Sequence, residues 1–427
     1  MTDAVTPVGG VSASARLRWI TFGLCAVTMF TEGYDAQFIG SVVPGSTGLA
    51  AEFGIAPGAV WPALSAGLVG LMLGAFFIAP LADTIGRRRV IIFSVALFAI
   101  LTIASVFAQS LTEMVIYRFL TGLGLGGAMA NTTALTAEFS PPEKRATAVA
   151  IMFCSFSLGA AFGGFVSASL LEDYGWKSVF LVCGIMGVAL LPFLIAALPE
   201  SLPPKKGAKL TIPAGKLFAE GRTRITILLW IIFFANLMEL YLISSWLPTT
   251  ISEQLRTTCP LSGPDMEACA QAALRSANNA TGLFQIGGIF GAIMLAPLVD
   301  RYGPQFVLPA ALLSAAVLIA TLALAGTSVA LSLVIGFLLG IGTVGVQNCN
   351  NGIAAKFYPT EIRATGIGWA LAVGRNGSIL GPAVGGLLLG TGFHISAIFI
   401  AATIPPLVAA AAYLVMGNPK SLQGSHA

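Results

Sequence analysis

The sequence predicts an all-α integral membrane protein of twelve transmembrane helices in two related six-helix halves, on three observations. Only 9% of the 427 residues are charged, against about 25% in soluble domains, and the mean hydropathy is +0.88. Apolar stretches that reach the roughly 20 residues a helix needs to cross a bilayer recur twelve times. Two motifs also occur twice at nearly the same offset. "APLADTIG" at 79–86 returns as "APLVDRYG" at 296–303, and "AEFSPPEKRATA" at 137–148 returns as "AKFYPTEIRATG" at 355–366.

In order, the spans fall at about 19–45, 57–80, 90–110, 112–134, 147–169 and 177–198, then 224–248, 278–299, 305–325, 329–354, 364–389 and 393–416. The repeats follow the second and eighth spans and the fourth and tenth, so the chain is a half at 19–198 and a half at 224–416. A Lys- and Pro-rich linker at 199–223 joins them, with an arm at 1–18 and a tail at 417–427. The first span carries carboxylates and no small-residue cleavage site, which argues against a removable signal peptide. Lys and Arg collect in cytoplasmic loops. Placing residue 1 inside puts 17 of the 22 positive residues in inner segments, three outside (Lys177, Arg256, Arg275) and two within spans (Arg118, Arg375). Both termini are then cytoplasmic, and the net charge of +4 is this loop bias and implies no nucleic-acid partner. Cys259 and Cys269 share the longest outer loop, where an oxidising compartment permits a disulfide; two free thiols are the alternative. Cys25, Cys154, Cys183 and Cys349 lie in spans and read as small apolar side chains.

An ionisable side chain inside a span is costly, so each is a functional candidate. Glu32 and Asp35 share a face of the first helix at i, i+3. At 1.5 Å per residue, Asp35 lies about 14 Å below the outer end of that helix and Arg118 about 9 Å down the fourth, close enough to pair. A carboxylate beside Arg is pulled toward ionisation by its partner and away from it by desolvation, so its proton affinity changes as a cavity opens to one side or the other. A static buried bridge holding two helices is the competing reading. Arg375, in "AVGRNGSILGP", offers a planar fork suited to a carboxylate; its alternative is a pairing with Glu239 of the seventh helix. Tyr34, Tyr241 and Trp246 are candidates to stack on a ring, and Asn236, Gln285, Gln347 and Asn350 to bond ring hydroxyls, against the commoner reading of packing or interface anchors.

At the inner face, ion pairs are expected of Asp83 with Arg87 and Arg88, of Glu138 with Arg145, and of Glu361 with Arg363, with Asp300 and Arg301 in the second copy; solvated loops compete with this reading. Gly159, Gly163, Gly164, Gly381, Pro382, Gly385 and Gly386 mark helices five and eleven as places of close approach. His394 and His426 have no metal-ligand spacing, no phosphate-binding Gly-x-x-x-x-Gly-Lys loop occurs, and "GLGLGG" at 122–127 lies in a span.

"DTIGRRR" after the second helix and "RFLTGLGLG" from Arg118 resemble signatures of the major facilitator superfamily, over the whole chain and in the right order. The match departs at Ala79, usually Gly, at Thr84, usually Arg, and in the second copy, where Pro304 and Gln305 follow Gly303. "GYD" with "YRFLTGLGLG" is similar to proton-coupled sugar symporters, in which that Asp and Arg are the coupling pair. A carboxyl residue, Gly, any residue, then Asp resembles the aromatic acid:proton symporter family, with Glu32 standing where Asp is usual, and "GR-x-G-x-x-x-GP" around Arg375 matches that family's substrate-anion arginine.

The resemblance implies a monomeric importer of a small aromatic carboxylate, of hydroxybenzoate or protocatechuate type, in a bacterial inner membrane, with no cofactor and the proton as coupling ion. The alternatives are a sugar, polyol or other organic-anion symporter, a drug/proton antiporter, or a non-transporting sensor. An enzyme is not expected, since no nucleophile, base and orienter occur together.

Overall fold

A computed structural model describes residues 14–141, 145–200, 214–219, 222–260, 264–324, 328–358 and 363–416. Among them every regular element is helical. The first half gives α1 (Ala15–Ser41), α2 (Trp61–Phe77), α3 (Arg87–Ala104) and α4 (Leu111–Glu138). A continuous run, Arg145–Ala197, then breaks at Gly175, whose φ of 71° is not helical, giving α5 (145–174) and α6 (176–197). Its 53 residues would span about 80 Å at 1.5 Å per residue, far beyond one bilayer core, so it holds two crossings.

The second half gives α7 (Thr223–Arg256), α8 (Pro264–Tyr302), α9 (Pro304–Leu324), α10 (Val329–Phe357) and α11 (Arg363–Gly390). The last span is α12, Ser396–Ala402 continued by Ile404–Met416. Among the described residues eight helices are long and apolar enough to cross a membrane as they stand. The second crossing in Arg145–Ala197, with α1, α4 and α11, brings the number to the twelve expected.

The chain divides into two compact units. Unit 1 is Met1–Ile39, Pro62–Val166 and Asp173–Lys209. Its core is built by Cys25 and Met29 of α1, Leu71 of α2, Val95 and Phe98 of α3 and Leu125 of α4, all buried. Unit 2 is Gly40–Trp61, Ser167–Glu172 and Leu210–Ala427, with Phe233, Leu312, Tyr358 and Tyr413 in its core.

Apolar matching cannot by itself select one helix neighbour over another in lipid, so small residues decide contact. A Cβ on Gly340 of α10 would stand 1.8 Å from the Phe284 carbonyl oxygen of α8, and one on Gly287 of α8 2.0 Å from that of Phe337. The expected approach at α5 is present as well: a Cβ on Gly159 would lie 1.9 Å from the Phe30 carbonyl oxygen of α1. Cys259 and Cys269 form a disulfide, Cα to Cα 5.7 Å, which ties the end of α7 to the start of α8.

Candidate functional site

In unit 1 the charged residues of α1 and α4 meet. Asp35 is fully buried and Arg118 2% exposed. Arg118 Nη1 lies 3.0 Å from Asp35 Oδ2 and donates to Oδ1 at 3.2 Å, while Nη2 donates to the Asp35 carbonyl at 3.0 Å. Thr102 of α3 donates its hydroxyl to Oδ1 at 2.7 Å, and the Cys183 thiol of α6 lies 3.7 Å from the same oxygen. The guanidinium carbon also stands 5.7 Å from the Phe38 ring centroid and 6.0 Å from that of Phe180. Four helices thus hold one ion pair. Glu32, one turn earlier on α1, is fully buried.

This arrangement has a chemical consequence. A buried ion pair endures only if the geometry is good and the remaining donors and acceptors are met. Here the carboxylate takes the Thr102 hydroxyl and the Cys183 thiol besides its ionic contact, and the guanidinium has a backbone acceptor and two aromatic faces, while Asp35 Oδ2 and Arg118 Nε have no hydrogen-bond partner among the described residues. Removing either charge would leave the other buried without its counter-ion, so the two groups are energetically coupled.

In unit 2 a polar chain crosses α7, α10 and α12. Glu239 is fully buried, and its Oε1 accepts from the Thr343 hydroxyl at 2.7 Å. Asn236 Nδ2 donates to the Thr343 carbonyl at 3.4 Å, Asn350 Nδ2 donates to Asn236 Oδ1 at 3.1 Å and to Gln347 Oε1 at 3.3 Å, and Tyr413 donates its hydroxyl to Asn350 Oδ1 at 2.5 Å. Arg375 is half-buried on α11. Its neighbours Gly374 and Gly377 set that helix against Phe233 and Phe234 of α7. Gln285, on α8, is 2% exposed.

The aromatic candidates are enclosed by protein. Tyr34 is fully buried, donates its hydroxyl to the Val179 carbonyl at 3.0 Å, and packs on Phe38 and Phe162. Trp246 is likewise buried, with Nε1 donating to the Pro382 carbonyl at 3.0 Å, and Tyr241 is 4% exposed. The two bonds satisfy the polar ends of Tyr34 and Trp246, the condition for burying Tyr or Trp.

The inner-face ion pairs differ from those expected. Arg87 pairs with Glu138 at 2.7 Å, where Arg145 was the expected partner of Glu138 and Asp83 that of Arg87. Asp83 is exposed and makes no ion pair among the described residues. Arg88 Nη2 instead donates to the Ile195 carbonyl at 2.5 Å. A residue that sequence reasoning assigned to the linker also takes part. Glu200 Oε1 accepts from the backbone N–H of Arg87 at 2.9 Å and of Arg88 at 3.4 Å, so a carboxylate caps the N-terminus of α3. Asp300 and Arg301 are exposed, with the Arg301 guanidinium carbon 5.1 Å from the Tyr302 ring centroid. Glu361 and the side chain of Arg363 lie outside the described residues, as does His426.

Comparison with known proteins places this geometry. The sequence profile of the Major Facilitator Superfamily matches residues 25–264 and 229–426. The chain is 34% identical to the gallate transporter of Pseudomonas putida, over 95% of this chain and 93% of that one. It is also 34% identical to the 4-hydroxybenzoate transporter PcaK of Pseudomonas aeruginosa, over 94% and 92%. Among solved structures, an inward-facing, occupied bacterial homologue of the lysosomal transporter Spinster is similar in fold, with a TM-score of 0.74 over 95% of this chain and 97% of that one at 17% identity.

Proposed function

The chain belongs to the Major Facilitator Superfamily, among its multi-pass membrane transporters of aromatic acids, and from that premise we propose that it imports a small hydroxylated aromatic carboxylate together with a proton. The substrates are of hydroxybenzoate or protocatechuate type. The membrane is a bacterial inner membrane with both chain termini on the cytoplasmic side, as the loop charges favour. The observation that carries the reading is the buried Asp35–Arg118 pair, an ion pair within a span.

In this reading Asp35 binds the proton from outside and gives it up inside. Protonation removes the ionic contact with Arg118, so the coupled groups on α1, α3, α4 and α6 relax together. Arg375 meets the substrate carboxylate, because a guanidinium forms two parallel bonds to that group and retains its charge at any working pH. Alternating access then converts proton binding into uptake.

The test is the initial rate of labelled 4-hydroxybenzoate uptake into cells expressing the protein, with and without a protonophore, in competition with benzoate, protocatechuate, gentisate, muconate and xylose. Protonophore-sensitive uptake blocked by the aromatic acids and untouched by xylose is the expected result. Competition by xylose alone would move the assignment to a sugar symporter, and uptake indifferent to the protonophore would remove the coupling role of Asp35.

A further inference from the structure

Hydroxyls and amides in these helices mostly satisfy themselves along their own helix. Thr250 donates to the Trp246 carbonyl at 2.8 Å and Thr281 to that of Ala277 at 3.1 Å. Asn131 Nδ2 does the same to Gly127 at 2.8 Å, and Asn376 to Ala372 at 3.2 Å. Four buried side chains on α7 and α8 do not. Asn278 of α8 is fully buried, and neither its Nδ2 nor its Oδ1 has a hydrogen-bond partner among the described residues. Gln285, 2% exposed, lacks one at Nε2, as do the hydroxyls of Ser244 and Thr249, each 1% exposed.

These four side chains stand at two matched depths. The Cys259–Cys269 bridge ties α7 and α8 at one level. Thr249 lies ten residues before it and Asn278 nine after it, about 14–15 Å down the two helices. Ser244 lies fifteen before it and Gln285 sixteen after, about 23–24 Å down. Asn278 and Gln285, seven residues apart, share one face of α8. That face is turned away from the side of the helix whose Ala280, Phe284, Gly287 and Gly291 pack on α10.

Leaving a buried donor or acceptor unmet is expensive, so a buried amide open at both atoms calls for a partner that both donates and accepts. A carboxylate can only accept, and suits a cation such as Arg375. A phenolic hydroxyl both donates and accepts, and an amide with both atoms open answers it on both counts. We propose that Asn278, supported by Gln285 and Ser244, binds the ring hydroxyl of the substrate and sets the preference for hydroxylated over unsubstituted aromatic acids. Asn278 is thus a specificity residue. This rests on the aromatic-acid reading above and extends it.

The experiment compares 4-hydroxybenzoate with benzoate as labelled substrates and as competitors, in wild type and in the Asn278→Leu and Asn278→Thr variants, each normalised to protein in the membrane. In wild type the hydroxylated acid should half-saturate uptake at a concentration roughly tenfold lower, the worth of one buried hydrogen bond. In Asn278→Leu that preference should fall to near unity by a rise in KM for 4-hydroxybenzoate, with benzoate unchanged. Asn278→Thr, which keeps a hydroxyl, should fall between the two. A parallel loss for both substrates, or an unchanged ratio, would overturn the proposal and leave the amide with a structural partner such as bound water. If Asn278→Leu fails to reach the membrane, the wild-type competition series decides alone: equal affinity for benzoate and every hydroxybenzoate isomer sinks the idea. If wild type carries or binds no aromatic acid at all, the functional reading falls first, which separates the two failures.

Discussion

At the scale of single residues, the charged positions were legible because a carboxylate or guanidinium in an apolar run has few bland explanations. Asp35, Arg118, Glu239 and Arg375 stood out on that ground. Their partners did not: Thr102 and Thr343 each bond a buried carboxylate, yet a hydroxyl in a span usually bonds its own helix, so composition carries no mark of them. The test at this scale is Asp35→Asn. The amide keeps the size and the oxygen that accepts from Thr102, but cannot exchange a proton, so net accumulation driven by a proton gradient should drop to the level of cells lacking the protein. Exchange of internal for external substrate should continue at a measurable rate, since that exchange needs no net proton movement. Efflux and counterflow assays in the same vesicles check this, and normal accumulation by the variant would end the coupling assignment.

At the scale of elements, most helix spans were readable to within several residues, although α7 runs on to Arg256 and α8 begins at Pro264 rather than 278. The neighbours of each helix were not. Which helix touches which is set by a few glycines, and a glycine in a greasy run has many uses. Gly340 sits where α10 meets the Phe284 carbonyl of α8, and Gly368 on α11 faces open space. Gly340→Ala must therefore push two helices apart, which should cost about 1–3 kcal/mol in overpacking. Gly368→Ala adds no contact and should gain up to about 1 kcal/mol of helix propensity. Thermal unfolding of the two purified variants in detergent checks the contrast. Equal midpoints would mean that the α8–α10 contact tolerates a methyl group.

At the scale of the whole molecule, the duplication visible in the sequence extends to the backbone, and its imperfections matter. Gly86 and Gly303 occupy matching places in the two copies, and both take a positive φ, 95° and 89°, just ahead of α3 and α9. The turn is thus the same in both halves, a conformation open to glycine and strained for other residues. What surrounds it differs. Beside Gly86 stands the Glu200 carboxylate, bonded to the first N–H groups of α3, while beside Gly303 stands the Gln305 side chain, a neutral amide from the helix itself. The divergence after Gly303 was readable in Pro304 and Gln305, but the cap of the first half was not, because Glu200 lies 113 residues from Arg87 in sequence. A carboxylate at a helix N-terminus contributes about 1 kcal/mol or more when partly enclosed, and a neutral side chain contributes less. Glu200→Ala should therefore lower the thermal midpoint of the purified protein clearly, and Gln305→Ala only slightly. Raising salt should shrink the Glu200→Ala difference, because a charge at an exposed helix end is screened. An equal fall in both variants, insensitive to salt, would show that the charged cap of the first half adds nothing the second half lacks.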